Sequence, residues 1–493
     1  MPVLVDYALL VAYALAVAGV GLYSARRMKS GEEFMVAGRR IPAWAAGLAV
    51  MSAYTSSISY IATPGKAFDT NWHPLIFALC GLPAAWFVTR YIIPLYWRVR
   101  LISVYSFLED RLGAWARVYA AASFLLYMLG RMAVILYLSA LLLAGLVPQP
   151  IGYLILAVGV VTVFYTLLGG MEAVVWTDVL QSVIMIGGIL FCVVFLSHLT
   201  FAGDPAPMAL AWQQHKFSLG SLQFSFTSRT VWVMILYGLT ENLRNLMADQ
   251  NYVQKYASVP SLAAARRSVW TAMLIYLPLT ALFLYVGTAL YAYYSTVGLP
   301  PAVVKGDQVF PHFIATRLPA GIKGLMIAAI LAAAMSTLDS ALNCSATVSY
   351  LDFYRRFRSP SEESQTSVSW LRWATVAWGF LGTAFALLMV RARSALDVWW
   401  TISGIFGGGF LGIFVVALLR PGGVRASHGL VGIVVSLGVI SWGTFARHLP
   451  PGMEWAECRL DTIIVGAVAA FAFCLVTLAL SWLAPEPVRS AKP

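Results

Sequence analysis

Hydroxyl side chains crowd one short stretch of an otherwise apolar segment, where they could bind a cation or a polar solute. The stretch reads MSAYTSSISYIATPG (51–65) and ends on Pro64 and Gly65. Such a composition suits a helix that is unwound at mid-membrane, because its freed carbonyls and hydroxyls can coordinate a ligand. The alternative is a continuous helix whose Ser and Thr side chains bond to their own backbone. The candidate residues are Ser52, Tyr54, Thr55, Ser56 and Ser59.

A second polar cluster lies in the apolar stretch AAAMSTLDSALNCSATVS (332–349). On a helix, Ala333, Ser336, Thr337 and Ser340 share one face, and Asp339 is adjacent to them in the sequence. Oxygen ligands without nitrogen or sulfur are what a hard alkali cation requires. Packing of small residues between helices is the alternative explanation, but it does not account for Asp339.

Two further charged residues are expected at membrane depth, where an ionised side chain is costly and needs a partner. GGMEAVVWTDVLQ (169–181) carries Asp178 into the membrane, where either a bound cation or an arginine could neutralise it. Arg131 is the lone cation of another apolar segment. It either pairs with Asp178 or Asp339, or binds the carboxylate of a ligand.

Polar residues also interrupt LTENLRNLMADQNYVQKY (239–256). Glu241, Arg244 and Asn245 could belong to a second broken helix that contacts the solute, or form a salt bridge at the inner mouth. The sequence leaves the two alternatives open.

The elements that position these residues are membrane-spanning helices. A chain of 493 residues that is 60% hydrophobic and 11% charged cannot close into a water-soluble globule. Apolar stretches about 20 residues long recur from end to end and predict about thirteen spans in one all-α membrane domain. The predicted spans are 3–23, 42–63, 72–92, 115–146, 150–168, 175–197, 229–248, 267–290, 320–352, 371–390, 396–419, 427–446 and 460–483.

The distribution of basic residues predicts the orientation. Lys and Arg concentrate in loops such as 26–40 and 355–358, so the positive-inside rule places the N-terminus outside and the C-terminus in the cytoplasm of a bacterial inner membrane. The net charge of +12 is then explained by basic loops that face anionic lipid. No nucleic-acid-binding motif accompanies them, and we infer no obligatory protein partner.

Other function classes fit less well. The six histidines are scattered, and neither HExxH nor GxSxG occurs, so we expect a transporter and not an enzyme. A proton-coupled transporter remains a rival, since Asp178 or Asp339 could carry a proton. The hydroxyls of Ser336 and Thr337 favour sodium instead.

With these residues the chain resembles the sodium:solute symporter family, which includes the sodium/glucose, proline and sialic acid cotransporters. The resemblance extends over essentially the whole chain. GGMEAVVWTDVLQ (169–181) is similar to the family's signature, and the pattern of Ala333, Ser336 and Thr337 is similar to its sodium-site helix.

The resemblance implies a LeuT-type inverted repeat of five plus five helices, in segments 42–197 and 229–419. An extra helix (3–23) would precede the repeats and two helices (427–483) would follow them. It also implies a core sodium site, with sodium as the coupling ion and no other cofactor. That site would use Ser52, Thr55, Ala333, Ser336 and Thr337. A second cation site, present in some members, would use Asp178, Ser336, Asp339 and Ser340, although Asp339 replaces a serine of the family pattern.

Within the family, SSISYIATPGKAFDTNW (56–72) is similar to bacterial sialic acid transporters. This implies that Arg131 binds the carboxylate of a sugar acid and that Ser56 and Ser59 contact the solute. Tyr54 stands where those proteins carry a small hydroxyl, Pro74 where they carry an aromatic residue and Ala78 where they carry an amide. The best prediction is therefore a sodium symporter for a sialic-acid-like sugar acid or another carboxylate; a neutral sugar or a polyol is the alternative solute.

Overall fold

The fold is a bundle of α-helices, seen in a computed structural model. The structure describes residues 2–26, 28, 30–144, 149–201, 206–301, 303, 305–357, 365–390, 410–447 and 452–484. The first half contains α1 (Pro2–Ala25), α2 (Gly31–Val36), α3 (Ala43–Tyr54), α4 (Ser57–Asp69), α5 (Pro74–Phe87), α6 (Ile93–Arg98), α7 (Ser106–Leu112), α8 (Ala114–Ala144), α9 (Ile151–Phe201) and α10 (Ala206–Gln213). The second half contains α11 (Val231–Leu243), α12 (Gln250–Ala257), α13 (Leu262–Val297), α14 (Gly306–Arg317), α15 (Ile322–Val348), α16 (Gln365–Met389), α17 (Phe410–Leu419), α18 (Ala426–Phe445) and α19 (Val465–Leu483).

Nine helices of the described ranges are long and apolar enough to cross a bilayer. They account for nine of the thirteen predicted spans, and the other four fall on shorter or interrupted helices. The span predicted at 42–63 is divided into α3 and α4, and the one at 229–248 ends in a wide turn. Of the span predicted at 396–419, residues 396–409 lie outside the described residues, and the rest forms α17.

The predicted spans 150–168 and 175–197 correspond to the two parts of α9, which are separate helices on either side of a kink at Gly170. The φ of Gly170, 55°, lies in the left-handed region that glycine tolerates. A Cβ at this position would also approach the backbone of Phe34 to 2.9 Å. Glycine therefore permits both the bend and the close contact with α2.

The centre of the bundle is α15, which is almost wholly buried. It packs against α9, α8 and α1, and also against the interrupted pair α3 and α4. Its polar face is thus enclosed by the elements that carry the other candidate residues.

Candidate functional site: two broken helices around a polar cavity

The first candidate segment is interrupted between α3 and α4. Thr55 (φ −105°, ψ 90°) and Ser56 (φ −94°, ψ 174°) are both extended, while the residues on either side are helical. The break predicted for residues 51–65 is therefore present. It frees backbone groups in the middle of the bundle, and Ser52, Thr55 and Ser56 are all buried.

The polar face of α15 gathers three oxygens of the predicted core sodium site. The hydroxyls of Ser336 and Thr337 donate to the Ala333 carbonyl at 3.3 and 3.2 Å, and all three residues are fully buried. Each hydroxyl hydrogen is directed to the backbone, so the oxygen lone pairs remain available to a cation. Back-bonding of Ser and Thr is thus compatible with ion binding here and does not exclude it.

The partner of Asp178 is Lys255, which the sequence analysis did not single out. The Lys255 ammonium lies 2.8 Å from Asp178 Oδ2 and donates to the Ala49 carbonyl at 2.9 Å; both charged side chains are fully buried. The sequence reasoning considered only a cation or an arginine. The sequence feature that could have indicated this partner is a lysine on α12, because every residue of that helix is buried and a buried lysine needs an acidic partner.

Asp178 Oδ1 and the Ser52 hydroxyl make no hydrogen bond of good geometry in the part of the chain that the structure describes, although the two side chains are close enough to interact with each other. Buried polar atoms are normally well paired, so these two adjacent oxygens are a place where an ion or a water could bind.

Asp339 is held by hydroxyl groups. Its Oδ2 accepts hydrogen bonds from Tyr165 and Thr177, both at 3.0 Å, and its Oδ1 lies 3.2 Å from the Ser340 hydroxyl. It is also within electrostatic range of Asp178 and Lys255. The four residues of the predicted second cation site therefore belong to one buried region between α9 and α15.

Arg131 pairs with neither candidate acid. Its guanidinium donates to the Ala53 carbonyl at 3.1 Å, and Tyr252 donates to the same carbonyl at 3.0 Å. Asp249 is within electrostatic range, but no carboxylate among the described residues forms a salt bridge with Arg131. An ion pair of Arg131 with Asp178 or Asp339 is therefore not formed in the described part of the chain, and a bound ligand carboxylate stays a prediction.

A cavity of about 430 Å³ collects the predicted solute-binding residues. Tyr54, Ser56, Ser59 and Arg131 all line it. Pro74 lines it as well, whereas Ala78 is buried and does not. The break between α3 and α4 thus brings the hydroxyls of one segment to the same space as the arginine of α8.

Aromatic rings form much of the cavity wall. The ring of Tyr54 lies 4.8 Å from that of Tyr252 and 5.0 Å from that of Tyr276, and Phe77 lies 5.6 Å from Tyr237. All five residues line the cavity. Such walls bind the apolar faces of a ring or chain while a few polar groups fix its orientation.

The segment 239–256 contains a second break, and its charged residues face the cavity. A wide turn (Arg244–Ala248) ends at Asp249, whose extended backbone (φ −88°, ψ 115°) separates α11 from α12. Arg244 donates to Glu241 Oε2 from Nε at 3.0 Å and from a terminal nitrogen at 2.8 Å. The predicted break and a salt bridge are therefore both present, and both members of the salt bridge line the cavity.

Comparison with known proteins agrees with this arrangement. Residues 34–421 match the sodium:solute symporter family. A sodium/sialic acid symporter of Aliivibrio fischeri is 31% identical over 471 residues, which cover 94% of this chain and 92% of the relative. A solved Na⁺-coupled sialic acid symporter, in a substrate-bound outward-open state, is similar at a TM-score of 0.89 and 27% identity, over 98% of this chain and 99% of the other.

A more distant structure agrees on the fold alone. Mhp1, a nucleobase-cation-symport-1 family transporter, is similar at a TM-score of 0.55 and 12% identity, over 92% of this chain and 94% of that chain. The predicted LeuT-type helical fold is thereby confirmed.

Proposed function

Because the chain belongs to the sodium:solute symporter family, we propose that the solute it imports with sodium is a carboxylate, with a sialic-acid-like sugar acid as the best candidate. The chain is a multi-pass membrane protein and a sodium-coupled symporter of a small organic solute. The relatives named above are described as sialic acid symporters, which supports the choice of solute.

The observation that carries this proposal is the environment of Arg131. A buried guanidinium at a cavity wall, bonded to a backbone carbonyl and without a salt-bridged acid in the described part of the chain, still has donors to offer. A planar guanidinium binds a carboxylate through two parallel hydrogen bonds. Removing one partner of such a buried charge pair costs about 2 to 5 kcal/mol.

The core sodium site is proposed at the predicted residues. Ala333, Ser336 and Thr337 supply oxygens from α15, and Ser52 and Thr55 supply backbone oxygens at the break. The packing of α15 against both α3 and α4 supports this assignment. Sodium binding would then hold the broken helix in the conformation that completes the cavity.

A second cation site at Asp178, Ser336, Asp339 and Ser340 stays a proposal. The Asp178 Oδ1, which lacks a hydrogen bond of good geometry, supports it, while the Lys255 ammonium already neutralises the other oxygen of that carboxylate. The charge moved per solute therefore distinguishes one coupled sodium ion from two.

The boundaries of the two repeats and the orientation are proposals as well. Segments 42–197 and 229–419 would be the repeats, and each begins with a broken helix, α3–α4 or α11–α12. Residues 3–23 and 427–483 would be the additional helices. The basic loops support an N-terminus outside and a cytoplasmic C-terminus in a bacterial inner membrane.

Binding of N-acetylneuraminate to the purified protein tests the carboxylate proposal. Calorimetry in sodium buffer would compare the acid with its methyl ester, which keeps the sugar but removes the charge. We expect the wild-type protein to bind the acid at least about 30-fold more tightly than the ester, and Arg131→Ala to lose this preference. Equal affinity for acid and ester would contradict the proposal and favour a neutral sugar or a polyol.

A further inference from the structure

The cavity contains a second charged group, at Glu241, whose function the proposed carboxylate site leaves unexplained. The Glu241 side chain is 31% exposed, whereas that of its partner Arg244 is only 8% exposed. Glu241 lines the same cavity as Arg131. The exposed part of this carboxylate is therefore available to a solute in the cavity.

Hydrogen bonding leaves one oxygen of this carboxylate unused. Both hydrogen bonds from Arg244 converge on Oε2. Oε1 accepts none from the residues that the structure describes. An ionised carboxylate can accept about four hydrogen bonds, so Oε1 keeps its acceptor capacity on a side chain that lines the cavity.

Arg244 holds Glu241 in place. The guanidinium also donates to Asn245 Oδ1 at 2.9 Å and to the Tyr127 hydroxyl at 3.3 Å, and it lies 3.5 Å from Asp249. With its own position fixed by these contacts, Arg244 leaves Glu241 little freedom. A preorganised acceptor loses little conformational entropy when a ligand binds.

We propose that Glu241 is a solute-binding, specificity-determining residue, whose Oε1 accepts hydrogen bonds from hydroxyl or N–H groups of the solute while Arg131 binds its carboxylate. The inference rests on the proposed function and narrows the solute class. The solute is a monocarboxylate that also carries hydrogen-bond donors. A hydrocarbon acid leaves Glu241 unsatisfied, and a dicarboxylate brings a second negative charge to it.

The test compares two monocarboxylates of different donor content. N-acetylneuraminate carries hydroxyl and amide donors, and cyclohexanecarboxylate carries none. In sodium buffer the wild-type protein should bind the first at least about tenfold more tightly, the size of one hydrogen bond to a charged group. Glu241→Gln, which keeps an oxygen for Arg244, should weaken binding of N-acetylneuraminate about tenfold or more and leave the affinity for cyclohexanecarboxylate within about threefold.

Glu109→Gln is the matched control. Glu109 is exposed to a similar extent (30%) and also pairs with arginines, Arg117 and Arg356, each at 2.7 Å, but it does not line the cavity. This variant should leave the ratio of the two affinities unchanged.

The outcomes separate the two proposals. Parallel losses for both acids in Glu241→Gln, or no loss for either, would overturn the role of Glu241 and leave the carboxylate proposal intact. Should Glu241→Gln fail to fold, the wild-type ratio decides, and equal affinities would overturn the inference. Binding of neither acid by the wild-type protein would overturn both proposals.

Discussion

Asp178, Asp339 and Lys255 form a buried group of three titratable side chains where α9, α12 and α15 meet. Asp178 is neutralised by the Lys255 ammonium, and Asp339 is held by three hydroxyls. A buried carboxylate that loses its partner is strongly destabilising, because neither water nor another charge replaces it. Each buried carboxylate therefore depends on its partners, and removing one partner should lower the stability of the protein.

The ion pair can be tested by removing one charge or both. Lys255→Met leaves Asp178 buried without its ammonium and should lower the free energy of unfolding by about 3 to 5 kcal/mol. In the double variant Asp178→Asn/Lys255→Met no charge is stranded, so a large part of this loss should be recovered. Thermal unfolding in detergent measures the loss of stability in the single and in the double variant. Strictly additive losses would show that the pair contributes little.

The hydroxyl of Thr337 is predicted to bind sodium. Thr337→Val keeps the shape and removes the oxygen, so the sodium concentration for half-maximal uptake should rise about tenfold or more, the effect of one contact to a charged group. Thr375→Val is the control. Thr375 is a buried threonine with the same bond to the carbonyl four residues earlier, but it lies on α16. A similar sodium dependence in both variants would argue against the core site.

At the scale of elements, the broken helix is held against α13. α4 packs closely on α13, and a methyl group at Gly287 would overlap with the Pro64 carbonyl oxygen of α4. Pro64 lies within α4 and removes one helical hydrogen bond, which leaves this segment dependent on its neighbours. The absence of a side chain at Gly287 thus lets the two helices approach.

Gly287→Ala should force α4 away from α13. Overpacking of this kind costs about 1 to 3 kcal/mol, and displacement of α4 should reduce the maximal rate of uptake. Gly187→Ala provides the comparison, because a Cβ at Gly187 in α9 meets nothing within 4 Å. Measurements of unfolding temperature and of uptake on both variants test this packing. Equal unfolding temperatures and equal uptake rates in the two variants would contradict a close contact between α4 and α13.

The sequence predicted those elements that are indicated by residues close together in the chain. Hydroxyls beside Pro64 and Gly65 indicated the first break, and long apolar runs indicated the spans. α14 was missed because Gly306–Arg317 has polar residues throughout and no apolar run. The Asp178–Lys255 pair was missed for a different reason: its members are 77 residues apart, and no pattern within a helix relates them.

For the whole molecule, the number of charges moved per solute decides how much the membrane potential contributes to the free energy that drives uptake. Moving one elementary charge through 100 mV is worth about 2.3 kcal/mol. An anion that enters with one sodium is electrically neutral, and one that enters with two carries a net positive charge.

If the second cation site is used, uptake of a monoanion should produce an inward current. Current and labelled solute measured together in reconstituted vesicles give the charge per solute. Electroneutral uptake would contradict a second sodium and would leave Lys255 as the cation that serves Asp178.

The central claim is that sodium drives uptake of a carboxylate solute through the cavity beside Arg131. Its most direct test is the initial rate of labelled N-acetylneuraminate uptake into proteoliposomes under an inward sodium gradient, compared with choline at the same pH. We predict rapid uptake with sodium, little with choline, and loss of the sodium-dependent part in Arg131→Ala. Uptake that is equal in sodium and choline but follows an imposed pH gradient would contradict the account and indicate proton coupling.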